Sequence, residues 1–150
     1  MNKRVSMAEW WLPSAEPMLK ADNARNVEYA RFFSRSVSQD TLVGVFWAGV
    51  MPYHCDRPML DMLGKADRHI AKGRAVQNEP YTPGHAKRDW DYVLETRRPD
   101  ILMSEMPEMQ HRADYVRSYC VPELPLWIAL RRDSMRKLLL PGVACAPLPG

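Results

Sequence analysis

The sequence is short of the residues that staple a fold or cross a membrane. Its three cysteines, Cys55, Cys120 and Cys145, are odd in number and form no C-x-x-C spacing, so neither a disulfide framework nor a zinc ribbon is indicated and free thiols are expected. No apolar run reaches the 18 or so residues that span a bilayer, and the longest candidate, LPLWIALRR, is mixed. The basic start MNKRV is followed by Glu9, Pro13, Glu16 and Pro17, which interrupt any apolar core of signal-peptide length. Charge of one sign is scarce too. Lys and Arg number 21 against 18 Asp and Glu, a net charge of +3 with the signs interleaved, which speaks against a nucleic-acid face. Neither G-x-G-x-x-G nor G-x-x-x-x-G-K-[ST] occurs, which removes the local signatures of nucleotide binding.

What is present belongs to an ordinary globular chain, 46% hydrophobic and 26% charged, and this composition excludes the disordered, collagenous and coiled-coil classes. A chain of 150 residues fits one domain and buries roughly 68–70% of its unfolded surface. The 13 prolines cluster at both ends and between apolar runs, the mark of short elements joined by stiff turns. The expected organisation is a single domain over residues 1–150, with an N-terminal extension over 1–20 and a tail over 141–150 that frays.

Periodicity supplies the elements. From Asp22 or Asn23, either a good N-cap, the residues Ala24, Val27, Ala30, Phe33 and Val37 recur at three- and four-residue steps, which predicts a helix with one apolar face. Thr41–Trp47 is rich in β-branched and aromatic residues and reads as a buried strand ending at Ala48 and Gly49. Met59–Leu63 reads as a second strand ended by Gly64. Lys87–Thr96 has Trp90, Val93 and Leu94 at helical spacing, with Arg97 and Arg98 at its C-terminus. Ile101–Met103 and Leu126–Leu130 are further strands, and Ser134–Leu140 a short helix. Helix and strand alternate, so the predicted fold is α/β: a small, mostly parallel sheet of about four strands flanked by helices in Rossmann-like layering.

In such sheets ligands gather beyond the carboxyl ends of the strands. Gly49, Tyr53 and His54 follow the first strand, Lys65, Asp67 and His69 the second, and Ser104 and Glu105 the third. Gly49 allows close backbone approach or a tight turn. Asp61 lies within the apolar MLDML, where an ionised carboxylate must be hydrogen-bonded or paired, as a ligand group or as a strut. His85, Lys87 and Asp89 precede a helix whose N-terminal amides suit an anion or a hydroxyl-rich ligand, and Asp89 also suits the N-cap. His69 and His85 with Asp61 or Asp67 are of the right types for a divalent metal, the alternative cofactor, but match no local metal signature. His54 and Cys55, adjacent on the chain, are poorly placed to pair as base and nucleophile.

The order WAGVMPYHCDRPMLDMLGKADRHIA, PGHAKRDWDYVL, RRPDIL resembles the soluble C-terminal region of multi-spanning membrane glycosyltransferases of GT-C architecture, the arabinofuranosyltransferase and mannosyltransferase-like group. The resemblance covers about Asn23–Met103, with an echo in LWIALRRDS. It implies a non-catalytic domain on the extracytoplasmic face of a membrane, partnered by a membrane-embedded half absent from this chain. Such a domain contributes binding of a glycan acceptor or a polyprenyl-phosphate sugar, without a cofactor and without nucleic acid. It matches Gly49, Tyr53, Asp61, Gly64, Asp67, His69, Gly84, His85, Lys87 and Asp89, and of these Gly49, Tyr53, Asp61, Asp67, His69, His85, Lys87 and Asp89 are the expected ligand-binding residues. The catalytic acids of the group are expected outside the matched region, so none is assigned. The competing readings are a small metal-dependent enzyme and a purely structural docking domain.

Overall fold

The computed structural model describes residues 20–46, 48–76, 86–103, 113–121, 126–139 and 144–147. Helix α1 (Lys20–Ser36) leads to strand β1 (Val43–Val45), the short helix α2 (Val50–His54), β2 (Met59–Asp61) and the short helix α3 (Arg68–Lys72). A π-helical segment, Tyr92–Arg97, precedes β3 (Ile101–Leu102), β4 (Tyr115–Val121), β5 (Leu126–Arg131), a 3-10 helix (Arg132–Lys137) and β6 (Ala144–Pro147).

The six strands form one sheet in the order β2-β1-β3-β5-β4-β6. β1 pairs in parallel with β2 (Val45 opposite Asp61) and with β3 (Gly44 opposite Leu102). The pairs β3–β5, β4–β5 and β4–β6 are antiparallel. An α/β sheet flanked by helices is what the alternation predicted, but it is neither mostly parallel nor four-stranded. β4 and β6, which the alternation did not supply, pair antiparallel at the C-terminal side of the sheet and add an antiparallel half. β6 lies inside the tail expected to fray, and the β4–β6 register sets Cys120 opposite Cys145. Of the three cysteines expected to be free, Cys55 is a buried free thiol.

Side chains alternate across the sheet, and both faces are covered. Val43, Val45, Ile101, Ile128 and Leu130 point to one side, where Ala30, Phe32, Phe33 and Val37 of α1 and its end pack with Met51 of α2. Leu60, Leu102 and Ala129 point to the other, where they meet Met62, Ile70 of α3, and Val93 and Leu94 of the π-helical segment. α1 begins at Lys20, before the expected cap. Asp22 sits in its first turn and pairs with Arg25 at 2.8 Å instead of capping.

Gly44 faces the second side. A Cβ built there would lie 2.8 Å from Leu102 Cδ2 and 2.9 Å from Met62 Sδ, so the glycine is kept by packing. Gly44→Ala is expected to cost about 1–3 kcal/mol as an overpacked core position, read as a lower urea midpoint with an unchanged slope.

At the amino ends of β1 and β3, Asp100 is buried, 3% exposed. Its Oδ2 accepts from the Leu42 N–H at 2.8 Å and from Lys137 Nζ at 2.9 Å. Its Oδ1 accepts from Arg131 Nη2 at 2.8 Å and from the Ser134 hydroxyl. Burial opposes ionisation of Asp100, but the bonds from Ser134, Lys137 and the Leu42 amide outweigh it and hold its pKa below the ordinary 3.8. This clasp joins β1, β3, β5 and the 3-10 helix at the edge opposite the candidate site.

Candidate functional site

Because β1, β2 and β3 run parallel, the segments that follow them leave the sheet at one edge. The β2–α3 loop is built by its own carboxylates. Asp61, at the end of β2 and buried, accepts from the Leu63 N–H at 3.0 Å and from the Ala66 N–H, so both oxygens are spent holding the loop: the strut reading of this residue. Asp67 is the N-cap of α3, with Oδ1 accepting from the His69 N–H at 2.9 Å and the Ile70 N–H at 3.1 Å. Its Oδ2 accepts from the Tyr92 hydroxyl at 3.3 Å and from Arg97 Nη1 at 3.2 Å.

The other wall is the π-helical segment. π winding closes hydrogen bonds between residues five apart, as in Arg98 N–H to Val93 O at 2.9 Å. The same spacing separates Tyr92 from Arg97, whose Nη1 donates to the Tyr92 hydroxyl at 3.1 Å and whose guanidinium carbon lies 5.9 Å from the ring centroid. Arg98 then ends the segment in a left-handed conformation, φ 45°.

Between these walls His69 stacks on Tyr92, with ring centroids 3.9 Å apart and planes at 18°. Its Nε2 is 2.9 Å from Asp89 Oδ2, and the two side chains remain 54% and 41% exposed. Asp89 Oδ1 accepts from the Tyr92 N–H at 2.9 Å, the capping role expected of it. This amide and then His69 hold the Asp89 carboxyl below its ordinary pKa. Lys87 donates from Nζ to the Ala71 carbonyl and so ties the segment to α3.

The structure thus brings together Asp61, Asp67, His69, Lys87 and Asp89. Tyr53 and Gly49 stand apart. Tyr53 is 85% exposed on α2 and forms an edge-to-face pair with His54. No atom lies within 4 Å of a Cβ built at Gly49, and its φ of −87° is open to any residue. Among the described residues, no hydrogen bond, ion pair or ring contact joins either to the cluster. His85, Ser104 and Glu105 lie outside the described residues. No group of three or more His, Cys, Asp or Glu suited to a metal ion is found among the described residues. The sequence reading missed Arg97 as the partner of Asp67. The pair spans 30 residues, and the π winding that sets Arg97 beside Tyr92 is not announced by periodicity.

The fold and the cluster define an α/β domain whose polar loops interlock beyond the carboxyl ends of three parallel strands. A family model described as a domain of unknown function, DUF8728, matches residues 16–136, and the chain belongs to that family. No curated protein and no solved structure matches it. Among the described residues, no helix is long and apolar enough to cross a membrane.

Proposed function

We propose that this domain is a non-catalytic part of a membrane glycosyltransferase and binds a glycan acceptor or a polyprenyl-phosphate sugar on the extracytoplasmic side, without a cofactor. The observation that carries the reading is the half-exposed His69–Asp89 pair stacked on Tyr92. The imidazole offers a flat face to a sugar ring, and the carboxylate, ionised well into the acid range, accepts from hydroxyl groups. The loop that carries His69 leaves β2 at the carboxyl ends of the parallel strands β2-β1-β3, the side of a parallel sheet on which ligands gather, and this supports the reading. Asp61 and Asp67 shape the loop and do not contact the ligand.

The test is an amide and histidine NMR titration with an oligosaccharide acceptor and, separately, a short-chain polyprenyl-phosphate sugar. Saturable shifts centred on His69, Asp89 and Tyr92 are expected with one of them. Asp89→Asn, which keeps an oxygen to cap Tyr92, is expected to weaken binding about tenfold, the loss of one charge-assisted hydrogen bond. Absence of shifts at millimolar ligand would overturn the reading. A docking role for a membrane-embedded half is the second reading, favoured because both oxygens of Asp61 and of Asp67 are taken up by donors within the domain. Capture of that half by a chain that binds no sugar would establish it. The metal-dependent alternative requires His85 to join His69, and stoichiometric metal lost on His85→Ala would favour it.

A further inference from the structure

Residues 65–74, KADRHIAKGR, hold four basic side chains and one acidic one, a surplus of three that equals the net charge of the whole chain. Lys65, Arg68, Lys72 and Arg74 are all exposed. Arg68 and Lys72 are four apart on α3 and share a face. The acid among them, Asp67, is buried and spent on the α3 amides, Tyr92 and Arg97. Among the described residues none of the four basic side chains has a hydrogen bond or an ion pair, whereas Arg57, Arg97, Arg131 and Lys137 are each paired with a carboxylate. Arg68 and Lys72 are therefore turned to solvent by a helix whose buried side, Ile70, is anchored in the core, and Lys65 and Arg74 flank that helix within three residues of its ends.

We propose that α3 and its flanks are the contact surface by which this domain rests on an anionic phospholipid bilayer. Three features favour a bilayer over other polyanions. The patch places two ammonium and two guanidinium groups at the surface with no carboxylate partner to fix them among the described residues, which suits a plane of mobile headgroups. It contains one aromatic side chain, His69, and so lacks the succession of aromatic faces on which single-strand readers stack their bases, and four charges fall short of the six to ten phosphate contacts usual on a duplex. Beside His69, its exposed uncharged residues are Ala66, Ala71 and Gly73, without the large apolar centre that a protein interface buries. The proposal is independent of sugar binding at the His69–Asp89 pair and does not require it.

The experiment is co-sedimentation of the full chain with phosphatidylcholine vesicles, with and without phosphatidylglycerol, at low and high salt. Binding is expected only with phosphatidylglycerol and is expected to fall as salt rises. Each basic side chain contributes about a five-fold change in partitioning, so Arg68→Gln with Lys72→Gln lowers it about 25-fold. Arg31→Gln with Arg136→Gln removes the same net charge from exposed positions elsewhere and is expected to leave binding unchanged. Far-UV circular dichroism checks that both doubles fold, and the single changes Lys65→Gln and Arg74→Gln, outside the helix, give an independent reading of the patch. No binding to phosphatidylglycerol vesicles, an equal loss in the two doubles, or tighter binding to duplex DNA than to vesicles would each overturn the proposal.

Discussion

Asp100→Ala is expected to lower the free energy of unfolding by about 3–5 kcal/mol, the cost of removing one partner from a buried ion pair. The change strips Arg131 and Lys137, whose side chains are only 17% and 21% exposed, of their shared carboxylate, and it leaves the Leu42 amide and the Ser134 hydroxyl without that acceptor. Asp100→Asn keeps an acceptor oxygen and is expected to lose less. The same residue sets a pH dependence. Its pKa is depressed in the folded state, so as the pH falls the unfolded chain takes up the proton first and unfolding consumes protons. The contribution is complete above the unfolded value, about pH 4, and is lost as the pH falls through the folded value. Asp40 and Asp133 are depressed as well, so the share of Asp100 is the difference between the stability–pH curves of the parent and Asp100→Asn. Superimposable curves would show that the clasp does not bear on folding.

Gly64→Ala is expected to cost about 2–5 kcal/mol, from a left-handed backbone and an overpacked site together. Gly64 has φ +76°, and an added Cβ would fall 2.7 Å from Ile70 Cγ2, 2.8 Å from the Ala71 nitrogen and 2.9 Å from the Ile70 carbonyl carbon. Two of these neighbours are backbone and cannot turn aside. Because the loop between Asp61 and Asp67 carries α3 and His69, the His69 ring resonances are expected to move as well. Gly49→Ala is the contrast, at an exposed and open position, with an expected change within about 0.5 kcal/mol. Chemical denaturation of the two variants side by side decides the matter, and equal stabilities would mean that the tight turn at Gly64 relaxes freely.

Strong period and strong composition were legible in the sequence. Ala30, Phe33 and Val37 announced α1, and the runs around Val43 and LWIAL announced β1 and β5, because burial against one neighbour leaves a local pattern. The segment YVRSYCV is rich in β-branched and aromatic residues and carries the signal for β4, but its direction depends on β5 and β6, which no local pattern states. α3 is five residues long, less than two turns, so periodicity has nothing to grip and the helix was not foreseen. At the site, the choice of Asp61, Asp67, His69, Lys87 and Asp89 found residues that the fold brings together. Their division into struts and exposed groups was out of reach, because it rests on which carboxylate oxygens the loop amides claim. The Asp100 clasp was invisible for a related reason, since Arg131, Ser134 and Lys137 lie 31, 34 and 37 residues away in sequence.

The two outermost strands decide whether the sheet can recruit foreign chain. β2 is three residues long and β6 four. At the end of β2 the backbone turns away into a loop whose amides bond to Asp61. β6 ends at Pro147, which has no N–H to offer a neighbour. Edges this short and this punctuated give an added strand little to pair with, the device by which natural sheets avoid fibre growth. Asp61, which organises the loop beneath the candidate site, thus also takes up the amides that follow the outermost strand.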